Sequence, residues 1–140
     1  MSASSLESLH RKAKGLEASL EVKIQTFSTM SQKMNADFLC DEENALLSKR
    51  EEDGAAAEID RLLVELLDCI NGMKEFDESV PNFGNHKDSL IKRYDEIYFD
   101  YKGEFQNIST ALRRKRESMK LFEATEKLQD GADEDSATAR

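Results

Sequence analysis

Apolar residues recur at steps of three and four over long stretches of this chain. The longest stretch, about 86–129, carries Leu90, Tyr94, Ile97, Tyr101, Phe105, Ile108, Leu112, Met119 and Phe122. That rhythm lays one stripe along one side of an α-helix. No proline interrupts it, and only Gly103 weakens it. At the rise of an α-helix it would be on the order of 60 Å long, more than most globular domains use. An earlier stretch, about 5–35, has the same rhythm in Leu6, Leu9, Ala13, Leu16, Leu20, Ile24, Phe27, Met30 and Met34. Ser4 or Ser5 can cap it, and Asn35 marks its end. Between them, about 55–80, lie Ile59, Leu62, Leu63, Leu66, Ile70, Met73, Phe76 and Val80, with Val64 and Leu67 widening the face. Asn71–Gly72 is a turn signal elsewhere, but the period runs through it. Pro81, Asn82 and Gly84 then supply a break.

Residues 35–55 keep no sustained period. Phe38, Leu39, Leu46 and Leu47 are too many apolar residues for a fully solvated loop. The segment is read as a connection holding one short helix near 43–52, ended by Asp53–Gly54. Residues 1–5 are read as a polar N-terminal tail. Residues 130–140, in which no apolar pattern survives, are read as a disordered tail or linker. Three amphipathic helices can each cover the stripes of the other two. The expected fold is therefore all-α: an antiparallel, up-down-up three-helix bundle over 6–129, with a long third helix and a short helix in the first connection.

Composition agrees with helices more than sheets: 35% of the residues are charged, prolines number one and glycines six among 140 residues. The formal net charge of −9 argues against nucleic acid and anionic membrane surfaces as primary partners. Two cysteines, Cys40 and Cys69, make no disulfide scaffold and are read as reduced thiols. No apolar run reaches the roughly 18 residues that a membrane-spanning helix needs, and no signal peptide is recognisable. The chain as given is expected to be soluble.

No catalytic constellation appears. His10 and His86 lack neighbouring ligands at metal spacing, the glycines are scattered singly, and the many carboxylates read as solvated helical faces. Neither cofactor nor metal is expected. Two features could serve a partner instead. Arg113, Arg114, Lys115 and Arg116 form a basic run that is either a solvated face or a dock for an acidic partner or lipid headgroup. Tyr98 and Phe99 do not both fit the stripe of the third helix; core packing accounts for most of this aromatic cluster, and whichever of the two is exposed is an anchor for a partner.

Three blocks of residues together resemble the N-terminal region of Golgi Qb-SNAREs. The first holds Ala13, Leu16, Glu17, Leu20, Lys23, Ile24, Phe27 and Ser28. The second holds Glu58, Ile59, Leu62, Leu63, Leu66, Met73 and Phe76. The third holds Arg93, Ile97, Asp100, Tyr101, Glu104, Phe105, Arg114, Arg116 and Glu117. The Asp-Tyr-x-x-Glu-Phe run at 100–105 is the most specific piece. The resemblance implies a three-helix regulatory (Habc) domain ahead of a SNARE motif and a C-terminal membrane anchor. Gln106 lies off the stripe and Gln129 at its end, so neither supplies the central glutamine of a Q-type SNARE motif; the chain is expected to be a fragment lacking that motif.

The function so implied is a non-catalytic, partner-binding domain acting in vesicle transport and membrane fusion on the cytoplasmic face of the Golgi membrane. Its partners would be other SNAREs of the Golgi fusion complex, tethers or Sec1/Munc18-type proteins. Tyr98, Phe99, Arg113, Arg114, Lys115 and Arg116 are its candidate contact residues, and it is expected to be monomeric, with no nucleic acid partner and no membrane insertion of this fragment. The alternative is a structural spectrin-like or coiled-coil spacer that oligomerises through its stripes. An enzyme is third, because a narrow bundle rarely builds a deep pocket.

Overall fold

The stripes read from the spacing are the surfaces that leave water. The computed structural model describes residues 2–33, 42–75 and 84–138, with side chains over 6–33, 45–75 and 86–121. It is a three-helix bundle of α1 (Ser2–Lys33), α2 (Glu42–Lys74) and α3 (Gly84–Thr138). One core joins Leu6, Ala13, Leu16, Leu20, Ile24 and Phe27 of α1 to Ile59, Leu62, Leu63, Leu66, Cys69, Ile70 and Met73 of α2. From α3 it takes Leu90, Tyr94, Phe105 and Leu112, while Ile97, Tyr101, Ile108 and Met119 are half-buried against it. Each fully buried large apolar side chain contributes about 1.5–3 kcal/mol. The pairing of α1 with α2 is the most extensive of the three, so α3 is the least covered helix.

Contacts at the two ends fix how the helices meet. At one end Leu9 lies against Gly72, the rings of His10 and His86 stand 6.3 Å apart, and Lys74 reaches Asp95 at 3.5 Å. At the other, Phe27 packs on Phe105 at 5.6 Å, and Glu52 meets Arg116. Gly72 serves the first of these ends, because a Cβ there would stand 3.3 Å from Leu9 Cδ1.

The helices are longer than the spacing alone suggests. The segment near 43–52 is helical but not separate: it is the first part of α2, which runs through Gly54 without a break. A lone glycine costs a helix only about 1 kcal/mol, less than the docking of Ala55, Ala56 and Glu52 on the neighbouring helices returns. α1 starts at Ser2 inside the supposed tail, and α3 continues to Thr138 through the supposed linker, whose alanines and acidic residues include no proline. The expectations for Met34, Asn35, Phe38, Leu39, Cys40, Phe76, Val80, Pro81 and Asn82 fall outside the described residues. Cys69 is buried, and burial pushes its thiol up, so it acts as a small apolar packing group.

Two substitutions test this packing. Leu66, with no exposure, should cost about 2–5 kcal/mol when Leu66→Ala leaves a cavity. An added Cβ at Gly54 meets open space, so Gly54→Ala should raise stability by about 0.5–1 kcal/mol. Urea unfolding followed by circular dichroism measures both; a neutral Leu66→Ala or a destabilising Gly54→Ala contradicts the packing described.

Candidate functional site

The candidate contact residues all lie on α3, and helical geometry divides them between its two flanks. Asp95 faces Lys74 of α2, so residues three, four and seven positions later, Tyr98, Phe99 and Lys102, lie toward the same flank. Tyr98 is half-buried against the core. Phe99 is 69% exposed, the most exposed aromatic ring among the described residues. The two rings meet edge to face with centroids 6.0 Å apart, and Lys102 Nζ sits 5.7 Å from the Tyr98 centroid. Tyr98 is thus the foot and Phe99 the projecting part of one aromatic pair.

The basic run does not act as one patch. Arg113 and Arg114 are exposed. Lys115 turns to α1 and donates from Nζ to the Ser31 carbonyl at 2.6 Å. Arg116 turns to α2 and donates from Nε to Glu52 Oε2 at 2.9 Å and from Nη2 to the same oxygen. Ser48 Oγ donates to the other carboxylate oxygen at 3.3 Å. Two of the four cations therefore tie α3 to its neighbours. Sequence reasoning missed their partners, although a signal was there. Glu52 continues the apolar rhythm of α2 backward through Ala56 and Ile59, and Arg116 fills the gap in the α3 stripe between Leu112 and Met119.

A cleft of about 310 Å³ lies beside this ion pair. Phe27, Ala56 and Leu112 form its apolar part; Asp53 and Glu52 line it from α2, and Arg113, Arg116, Glu117 and Lys120 from α3. Charge is thus divided across it, acidic on α2 and mainly basic on α3. Among the described residues no three His, Cys, Asp or Glu side chains come together as metal ligands. No described helix is long and apolar enough to cross a membrane.

The opposite end holds the histidines. His10 stands edge-on to His86 and, at 6.0 Å, to Tyr94. Burial, with Lys14, His86 and Arg93 adding positive charge, holds the His10 imidazole below its ordinary value.

The sequence of these helices matches a known family: the model of the GOSR1 N-terminal domain covers residues 4–131. The chain belongs to this family. It is an N-terminal region similar to that of GOSR1, Golgi SNAP receptor complex member one, and so a SNARE-related Golgi domain of vesicle transport. N-terminal domains of SNAREs are in general non-catalytic. No curated protein and no solved structure matches the chain. In this GOSR1-type domain the apolar residues that carry the resemblance in the first two helices lie in the core: Ala13, Leu16, Leu20, Ile24, Phe27, Ile59, Leu62, Leu63, Leu66 and Met73 are buried, and Phe105 joins them from α3.

Removing Arg116 leaves the Glu52 carboxylate, itself 7% exposed, without its cation. Arg116→Ala should therefore lower unfolding free energy by about 2 kcal/mol, with much of it recovered in the double variant Glu52→Leu, Arg116→Met. Equal losses in both variants would show that packing of the arginine stem, not the charge, is what matters. His10 gives a pH dependence. Its folded form binds a proton less readily than the unfolded chain, so its contribution is intact above the ordinary value of 6.5 and is lost as pH falls through it toward the lower folded value. Stability should decline between about pH 7 and pH 5.5, and His10→Gln should flatten that slope. An unchanged slope in the variant would assign it to other groups.

Proposed function

We propose that this domain is a non-catalytic docking module of a Golgi SNARE, and that the seam between α2 and α3 receives an amphipathic helix of a partner. The observation that carries this reading is the course of that seam. Tyr98 and the projecting Phe99 lie along its α3 flank. Further along it opens the cleft floored by Phe27, Ala56 and Leu112. A helix lying in such a groove anchors apolar residues at i, i+3, i+4 and i+7. The divided charge favours an occupant whose apolar stripe is flanked by acidic residues toward α3 and basic residues toward α2.

Paired contacts at both ends of the bundle support an up-down-up course, in which α1 and α3 run together and α2 runs against them. In that arrangement the partner's groove is formed by two antiparallel helices. Tyr98 and Phe99 supply apolar anchoring, and Arg113 and Arg114 the exposed charge; Lys115 and Arg116 hold the groove walls in place. The occupants are SNARE helices of the Golgi fusion complex, tethers or Sec1/Munc18-type proteins, met at the cytoplasmic face of the membrane. The domain works as a monomer that regulates access to SNARE assembly and performs no chemistry of its own.

Binding measured by fluorescence anisotropy tests this directly, with the chain titrated against labelled SNARE helices and Golgi tethers. Phe99→Ala should weaken binding by about tenfold or more, the loss typical of a central aromatic anchor, while leaving stability unchanged because the ring is exposed. Absence of binding to every one of these partners, or wild-type binding by Phe99→Ala, would remove the groove as the docking site.

A further inference from the structure

The core is not filled evenly along its length. From Met73 back to Ile59 the inward face of α2 carries Met73, Ile70, Leu66, Leu63 and Ile59. Beyond Ile59 the same face carries the half-buried Ala56 and Ala55 and then Glu52. The other helices do not restore the missing volume. At this end α1 follows Phe27 with the buried Ser31, and α3 follows Leu112 with Arg116. Ser109 is a further small residue on the α3 wall. The cleft of about 310 Å³ is the space that Ala56 and Ser109 leave between α2 and α3. Protein interiors are packed about as densely as organic crystals, so core atoms that border an open space forgo contacts there.

The polar groups of this layer are already satisfied, and its apolar floor is not. Glu52 accepts from Arg116 and Ser48, and the Ser31 carbonyl accepts from Lys115. Phe27, Ala56 and Leu112 border the cleft without a side chain to fill it. Arg113 lies at the rim, one turn before Arg116 and on the side toward Tyr98 and Phe99. Among the described residues no ion pair engages Arg113. An apolar seat thus stands beside a guanidinium that has its planar fork to offer.

We propose that this underfilled layer is the seat for one large apolar side chain of the partner helix, a leucine or phenylalanine, and that an acidic residue three or four positions from it pairs with Arg113. The inference rests on the α2–α3 seam as a helix-docking groove and adds which side chain of the occupant is its main anchor. The anchor completes a core layer that this chain leaves short on one side. Ala56 and Ser109 set the size of the seat and are its specificity-determining residues. A larger apolar residue at position 56 would serve stability better; alanine keeps the seat open, the trade-off expected where a site is used for binding. The volume lies at the lower edge of the roughly 300–1,000 Å³ that ligand pockets span, which suits an anchor side chain.

The test titrates the full chain with a helical peptide of alanine and glutamine, followed by NMR. The peptide carries one phenylalanine, a leucine four residues to each side of it, and a glutamate three residues after it. Saturable shifts should centre on Ala56, Leu112 and Arg113. Replacing the peptide's phenylalanine by alanine should cost about tenfold or more in affinity. Ala56→Leu and, from the opposite wall, Ser109→Leu should each cost as much, while the urea midpoint of the free chain is kept or raised. Gly54→Ala, which stabilises α2 outside the cleft, should bind within about twofold of the parent. Replacing the peptide's glutamate by glutamine should weaken binding to the parent and have no effect on Arg113→Gln. Parent affinity in either filled variant, a loss as large in Gly54→Ala, absence of saturation, or lowered midpoints in both filled variants would overturn the seat. A glutamate effect that persists in Arg113→Gln would overturn the acidic pairing. Partner binding lost in Phe99→Ala but kept in Ala56→Leu would overturn the seat and leave the groove. A peptide seated here while no Golgi SNARE helix or tether binds would support the seat and remove those partners.

Discussion

An amphipathic helix in water has one face that it cannot leave exposed, and a single such helix is stable only when something covers that face. Three of them in one chain solve the problem for one another, and everything else in this structure follows from that mutual cover. Tyr94, Leu20, Leu66 and Ile70 reach zero exposure in the one core that the three helices share. Among the described residues the three helices supply this cover themselves, with Cys69 a free thiol and no cluster of metal ligands, and the outer faces carry charge and a projecting ring.

The cover is unequal, and the inequality is informative. α1 and α2 share the closest pairing, whereas half of the α3 stripe is only half-buried. The looser helix is held by polar ties at one end: Lys115 to the Ser31 carbonyl and Arg116 to Glu52. An ion pair in such a place is a weak source of net stability, because desolvation offsets most of the attraction, but it penalises any other register strongly. The least covered helix also carries Phe99 and the cations of the cleft. The features suited to partners thus sit where the core has least hold.

Much of the fold could be read from spacing, because the period of apolar residues and the covering of one stripe by two others are the same physical fact. Leu62, Leu66, Ile70 and Met73 mark α2 without further help. Ends and interruptions were harder to read. Gly54 looked like a stop, yet one glycine weighs less than the packing on either side of it. Ser2 and the acidic segment beyond Gln129 lack apolar pattern and are helical all the same. The candidate contact residues were legible only as types. Spacing showed that Tyr98 and Phe99 do not both join the stripe, not which of them projects, and a run of four cations gives no sign of which ones turn inward until Glu52 is seen as part of the α2 stripe.

A SNARE-related Golgi domain built this way is a rod with a sealed interior and chemically distinct seams. The apolar residues that mark its family on α1 and α2 are core residues, since both express the stripes. The central physical claim is that the stripes are satisfied within one chain. Its most direct test is the urea midpoint of unfolding, measured across about a hundredfold range of protein concentration. A midpoint that does not move is the expected result; one that rises with concentration would mean that a second molecule completes the core, contradicting a self-sealed bundle.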